Sequence, residues 1–150
     1  MYLPRELEKE LLQHWEEKRI FIIRGPRRSG KTTLLKHLQQ IKGGTYISME
    51  SSPMLEQFLK DPLGFVKGLE DPIFLDELQY GGEQASKALK QIYDLTDKRI
   101  IVSGSGAFDL KTNIQAYLVG RAYIYDLLPL SFREFVEWKM PQFKHLYRPF

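Results

Sequence analysis

Eight consecutive residues constrain this chain more than any other feature: Gly25-Pro26-Arg27-Arg28-Ser29-Gly30-Lys31-Thr32. They fit G-x-x-x-x-G-K-[ST] at every fixed position. Before them runs Arg19–Arg24 (RIFIIR), β-branched and aromatic, the pattern of a buried strand. After them Leu34, Leu35, Leu38 and Ile41 recur at helical spacing from Lys31 until Gly43-Gly44. Strand, glycine-rich turn and helix in this order bring several backbone N–H groups onto one anion. Gly25 and Gly30 keep Cβ atoms out of the way, and the helix adds the positive end of its dipole. Lys31 reaches the β- and γ-phosphates of a nucleotide, and the Thr32 hydroxyl is a magnesium ligand. Pro26, Ser29 and Thr33 belong to the same loop and helix start. Arg27 and Arg28 face either phosphate and ribose or solvent.

The remaining pattern alternates. Residues 3–18 read as a helix, with Pro4 in its first turn and Leu7, Leu11 and Trp15 at four-residue spacing. Thr45–Met49, Pro72–Asp76, Arg99–Ser103 and Ala122–Leu127 are further strands. Between them lie one or two short helices over Pro53–Leu69, broken at Asp61-Pro62, and a helix over Glu83–Thr96. Such alternation predicts an α/β fold whose parallel strands carry helices on both faces. Ser131–Lys139 is a closing helix, with Ser131 and Glu134 as a capping box and Leu130 and Phe135 as its hydrophobic staple. The chain then stops at HLYRPF, so it is expected to be a fragment. Its divisions are an N-terminal helix over 1–18, a nucleotide-binding core over 19–140, and the start of a further C-terminal region over 141–150.

Composition excludes several classes. There is no cysteine, which removes zinc ribbons, iron–sulfur clusters, thiol catalysis and disulfide scaffolds. Apolar runs such as Ile20–Ile23 are far short of the roughly 18 residues of a membrane span, and MYLPRELEKE has no secretory apolar region. A soluble, cytoplasmic protein without membrane contact is expected. The net charge of +3 is too mild to demand nucleic acid. His14, His37 and His145 show no metal-ligand spacing.

A second set of residues completes a hydrolytic site. Ile73-Phe74-Leu75-Asp76-Glu77 is an apolar run ending in two carboxylates. Asp76 suits the magnesium ion, and Glu77 suits polarisation of the attacking water. After the fourth strand, Ser103 and Ser105 both qualify to touch that water or the γ-phosphate, and sequence does not choose between them. Arg121, ahead of the fifth strand, can meet phosphate charge in cis or from a neighbouring subunit. No N-K-x-D string exists, which argues against a Ras-type GTPase, and Asn113–Arg121 is too poor in arginine for the lid of a small-molecule kinase.

With these residues together, the chain resembles the prokaryotic AAA-type ATPases near the archaeal-type and signal-transducing P-loop ATPases, in which this domain precedes a poorly characterised C-terminal domain. GPRRSGKTTLL, FLDELQ and VSGSGAF carry the resemblance, and above all GRAYIYDLLPLSFREF, with L-x-G-R at Leu118–Arg121 and P-L-S-F-x-E-F at Pro129–Phe135. It spans about Ile20 to Phe135. The resemblance implies a three-layer P-loop NTPase core with a five-stranded parallel sheet in the order 5-1-4-3-2. It implies Lys31 and Thr32 for ATP and Mg²⁺, Asp76 and Glu77 as magnesium acid and hydrolytic base, Ser103–Ser105 as γ-phosphate sensor, and Arg121 as a phosphate-responsive arginine. The expected function is slow Mg²⁺-dependent ATP hydrolysis to ADP in a switch or motor module, with oligomerisation open. A DNA or protein partner would bind through the region beyond this chain. The alternatives are a non-hydrolysing ATP switch, a DNA-associated ATPase and, last, a small-molecule P-loop kinase.

Overall fold

A computed structural model of the chain describes residues 6–26, 29–105 and 113–127. Five strands, β1 (Ile20–Arg24), β2 (Thr45–Ser48), β3 (Ile73–Asp76), β4 (Ile100–Gly104) and β5 (Ala122–Asp126), form one sheet in the order β2-β3-β4-β1-β5. All four pairings are parallel, with Ile22 opposite both Val102 and Ile124, and Ile47 opposite Leu75. Read from the other edge this is 5-1-4-3-2, the expected P-loop NTPase order.

Strand alternation explains the layers. Ile20, Ile22, Ile73, Leu75, Ile100 and Val102 point to one face, where helices α3 (Ser52–Lys60), α4 (Pro62–Lys67), α5 (Gly82–Leu95) and α6 (Ile114–Tyr117) supply Phe58, Val66, Leu89, Ile92 and Ile114. Phe21, Ile23, Phe74 and Ile101 point to the other, against Leu11 and Trp15 of the N-terminal segment and Leu34, Leu35 and Leu38 of α2 (Lys31–Lys42). A strand buried on both sides must be apolar at every position, which is why β1, β3 and β4 read as continuous runs. The edge strands β2 and β5 are only half-buried along most of their length.

Differences from expectation are local. Among the described residues the first helix, α1, covers Glu6–Gln13 and ends short of the expected residue 18, because the chain beyond Gln13 tightens into turns closed by His14 N–H to Leu11 O and Trp15 N–H to Leu12 O. These turns bring Trp15 onto Phe21, the rings stacked at 5.9 Å. A 3-10 turn at Leu78–Gly81 and the short α6 were not anticipated. Elsewhere boundaries shift by a residue or so, and the break at Asp61-Pro62 falls between α3 and α4, where the Asp61 side chain caps Gly64 N–H. The helix over Ser131–Lys139, its capping box, the P-L-S-F-x-E-F string and the region 141–150 lie outside the described residues.

Candidate active site

The site gathers at the C-terminal ends of the strands. β1 sits inside the sheet, between β4 and β5, while its own connection through α2 runs to the far edge strand β2. The connection after β1 thus runs toward the β2 edge, while the connection after β4 crosses β1 to reach β5, and the two diverge to open a crevice at the ends of β1 and β4. Gly25 follows β1 directly. Its N–H donates to Gly104 O at 3.2 Å, and Leu127 N–H donates to Arg24 O at 2.8 Å, so β4 and β5 hold the loop from both sides. A Cβ at Gly25 would lie 2.1 Å from Leu127 O, an approach that only glycine permits. Ser29 N–H closes the turn onto Pro26 O at 3.3 Å, and Gly30, at φ 95, swings the chain into α2. Thr33 is exposed on that first helical turn. Arg27 and Arg28 lie outside the described residues.

Lys31 is buried and bends back over the loop, its Nζ donating to the carbonyls of Gly25 and Pro26 at 2.8 Å each. The ammonium thus rests on the carbonyls of the first two loop residues, at the place where a bound phosphate would compete for it. One helical position on, Thr32 Oγ1 donates to Asp76 Oδ2 at 2.7 Å, joining the cradle to β3. Asp76 is 1% exposed and accepts from three hydroxyls: Thr32 and Tyr46 on Oδ2, Ser103 on Oδ1. A buried carboxylate needs such partners to remain in place. Hydroxyl and carboxylate oxygens side by side are the donors that a small hard cation takes, with water and phosphate supplying the rest. Among the described residues there is no cluster of three His, Cys, Asp or Glu, so such an ion would depend on this pair and on its ligand.

Glu77 begins the turn out of β3 in the left-handed region, φ 60 and ψ 46. A non-glycine residue there costs about 1–2 kcal/mol and persists only where its surroundings hold it. Here its N–H donates to Ser103 Oγ at 2.9 Å, while its Oε2 accepts from Gln79 Nε2 at 2.5 Å and Ser105 Oγ at 3.4 Å. The structure thereby distinguishes the two serines that sequence left equivalent. Ser103 is fully buried and pins the Asp76–Glu77 turn; Ser105 contacts the Glu77 side chain.

Arg121 is not part of this assembly, and a phosphate contact within the same chain is corrected by the sheet. Because β5 runs parallel to β1, the residue before β5 lies at the opposite end from the cradle. Ile20 pairs with Ala122 and accordingly donates to Arg121 O, whereas the cradle follows Arg24, which pairs with Asp126. That is about 15 Å along the strands. The Arg121 guanidinium instead makes a forked pair with Asp94 at the end of α5, at 2.9 and 3.2 Å. Asp94 is thereby held below the ordinary carboxylate range, chiefly by this hydrogen bond.

Two residues that sequence did not single out complete the site. Tyr46 reaches diagonally across from β2 to Asp76, and Lys36 lies 5.1 Å from its ring centre. Burial, then the hydrogen bond to Asp76, pushes the phenol well above its ordinary range. Gln79, buried in the 3-10 turn, binds Glu77 and Ser105. The place of Gln79 two residues after Glu77 in FLDELQ is a hint to its role, whereas no local pattern points to Tyr46.

The model of the AAA domain family matches residues 17–136. The chain belongs to the AAA domain family. An uncharacterized protein of Haemophilus influenzae is 30% identical, over 87% of this chain and 36% of that protein, so the chain spans about a third of the curated relative's length. Among solved structures, a Walker-type ATPase of Pyrococcus abyssi superposes with a TM-score of 0.66 at 20% identity, covering 99% of this chain and 60% of that one. AMPPCP-bound DnaA from Aquifex aeolicus gives 0.58 at 17%, covering 97% and 51%. These two similarities show the fold, an α/β P-loop NTPase core; the family implies that it binds nucleotide. Among the described residues no helix is long and apolar enough to cross a membrane.

Proposed function

We propose that this domain binds ATP with Mg²⁺ and hydrolyses it slowly, as the nucleotide-driven switch or motor module of a larger protein. The observation that carries the reading is the Thr32–Asp76 contact at 2.7 Å, with Glu77 next along the turn and Lys31 inside the cradle. Thr32 and Asp76 would hold the metal ion, which when bound neutralises charge on the β- and γ-phosphates. Lys31 has to leave the Gly25 and Pro26 carbonyls for phosphate oxygen, exchanging two neutral acceptors for an anion. The loop N–H groups and the start of α2 fix the phosphate chain in line for attack. Glu77 then accepts a proton from the attacking water, and Ser105, hydrogen-bonded to that carboxylate, is the better placed serine to sense the γ-phosphate. Arg121 serves no step of its own chain. A phosphate that it meets belongs to a second copy, whose γ-phosphate its planar fork can grip through two oxygens.

The test is conversion of ATP to ADP by purified protein with Mg²⁺, alone and with duplex DNA, beside Glu77→Gln. Hydrolysis should fall by about 10²–10⁴-fold in the variant, the usual contribution of a general base, with ATP affinity kept. Wild-type protein that binds ATP but never turns it over would leave a pure switch. Stimulation by DNA that collapses with added salt would identify the partner as nucleic acid.

A further inference from the structure

We propose that Gln79 is the positioning residue for Glu77: its side-chain amide ties the carboxylate to the end of β4 and so sets where the base stands. The inference rests on the hydrolytic reading of Glu77 given above.

The geometry is closed on every side. Gln79 Oε1 accepts from Ser105 N–H at 3.1 Å, and its Nε2 donates to Ser105 Oγ at 2.9 Å and to Glu77 Oε2 at 2.5 Å. Ser105 Oγ in turn donates to the same Glu77 oxygen at 3.4 Å. The amide can sit only one way round, since the reverse would set its NH₂ against the Ser105 N–H. Acceptor at one end, donor at the other and no charge are requirements that glutamine meets and glutamate does not. Gln79 is held there by its neighbours. Leu78 is fully buried under the 3-10 turn, and Ala85 lies in the same core at the start of α5. Gln79 itself is 8% exposed and its two hydrogen bonds to Ser105 are buried, while the Glu77 carboxylate that it holds stays partly open to water.

The clamp compensates for what the backbone of Glu77 lacks. A residue at φ 60 is held by its surroundings. Ser103 holds the backbone N–H of Glu77, and Gln79 with Ser105 holds its carboxylate. Neither Gln79 nor Ser105 contacts Lys31 or Thr32 in the hydrogen bonds of the cradle. Removing Gln79 should therefore separate chemistry from binding. A base displaced by about 1 Å costs on the order of 10²-fold in rate, while ATP affinity is untouched.

The experiment measures single-turnover hydrolysis and the Kd for a non-hydrolysable ATP analogue in wild type, Gln79→Ala, Gln79→Glu, Glu77→Gln and the double variant Glu77→Gln/Gln79→Ala. Gln79→Glu keeps the shape of the side chain and guards against a folding defect in Gln79→Ala. The expected result is a rate loss of about 10²-fold in both Gln79 variants with unchanged Kd, and no further loss from Gln79→Ala once Glu77 is glutamine. Wild-type rates in both Gln79 variants overturn the proposal. So does a rate loss that tracks weaker analogue binding, or one that persists undiminished in the double variant. Should Glu77→Gln hydrolyse at the wild-type rate, the hydrolytic reading falls instead. The clamp is then judged by a crystal structure of Gln79→Ala. A Glu77 carboxylate still against Ser105 overturns it, and one that has left Ser105 upholds it.

Discussion

At the C-terminal end of the sheet Asp76 is 1% exposed and accepts from Thr32, Tyr46 and Ser103; at the N-terminal end Asp94, on the last turn of α5, accepts from Arg121 at the surface. Both are carboxylates with good partners, yet their surroundings differ. Around Asp76 each donor is itself fixed by a different strand or helix: Thr32 by α2, Tyr46 by β2, Ser103 by β4. Around Asp94 the partner is a guanidinium on a long flexible stem, and Asp94 itself lines an open cavity of about 360 Å³ with Lys87, Lys90, Gln91, Leu95 and Tyr117. Desolvation makes the first arrangement costly to break. Water and salt make the second nearly free to break. Parallel strands explain the asymmetry, because they all deliver their polar ends to one crevice, where the groups must satisfy one another.

The largest break in this contrast is Lys31→Ala. Its ammonium is buried among carbonyls at 2.8 Å, and a bound phosphate would lose its only buried cation among the described residues of the cradle. Truncating one partner of such a desolvated contact costs about 2–5 kcal/mol, roughly 30- to 5,000-fold in Kd. Calorimetry with Mg-ATP measures it. Unchanged affinity in a folded variant would remove the cradle from the site.

Tyrosines sharpen the contrast on a smaller scale. Tyr46→Phe deletes one of three donors to a buried carboxylate, and about 1 kcal/mol of stability should be lost in urea titration at pH 7. Tyr123→Phe deletes a hydrogen bond of 2.5 Å to Glu17 at the exposed end and should leave the midpoint where it was. Equal losses would mean that burial does not separate the two ends.

How much of this was legible follows from what each residue depends on. The cradle needs only local order: strand, spaced glycines, lysine, helix. Asp76 and Glu77 need only a strand end. Tyr46 and Gln79 depend on partners that no local pattern names, since Tyr46 matters only once β2 pairs with β3 and Gln79 only once β4 ends beside the turn. Arg121 shows the limit differently. Its nearness to β1 in the sheet order was correct, but a parallel neighbour begins at the far end, so adjacency of strands is not adjacency to the cradle.

Alkaline pH probes the flank between the two ends. Burial, followed by the nearby Tyr123, pushes the Tyr125 phenol up to about 12. Its folded value therefore exceeds its unfolded value, near 10. The stability it contributes is complete below about pH 10 and is lost as pH rises toward 12. Tyr125→Phe should flatten that part of the alkaline unfolding curve, and an unchanged curve would mean that the phenol titrates as freely in the folded chain as in the unfolded one.

The smallest effect on a single molecule is expected for Arg121→Ala. The guanidinium and Asp94 meet at the surface, and what the pair contributes is lost as pH falls through the lowered Asp94 range. Folding, ADP affinity and ATP affinity of a dilute sample should all match wild type, because the cradle is about 15 Å away along the strands. The difference appears only when copies meet. If Arg121 reaches the phosphates of a second copy, turnover per mole of wild type rises with protein concentration. Arg121→Ala stays at the dilute value, and Arg121→Lys recovers only part of the rise, since a point charge lacks the fork. Turnover measured across a hundredfold range of protein concentration decides it. Identical curves for wild type and Arg121→Ala would confine Arg121 to its surface pair with Asp94 and leave the chemistry wholly at the C-terminal end of the sheet.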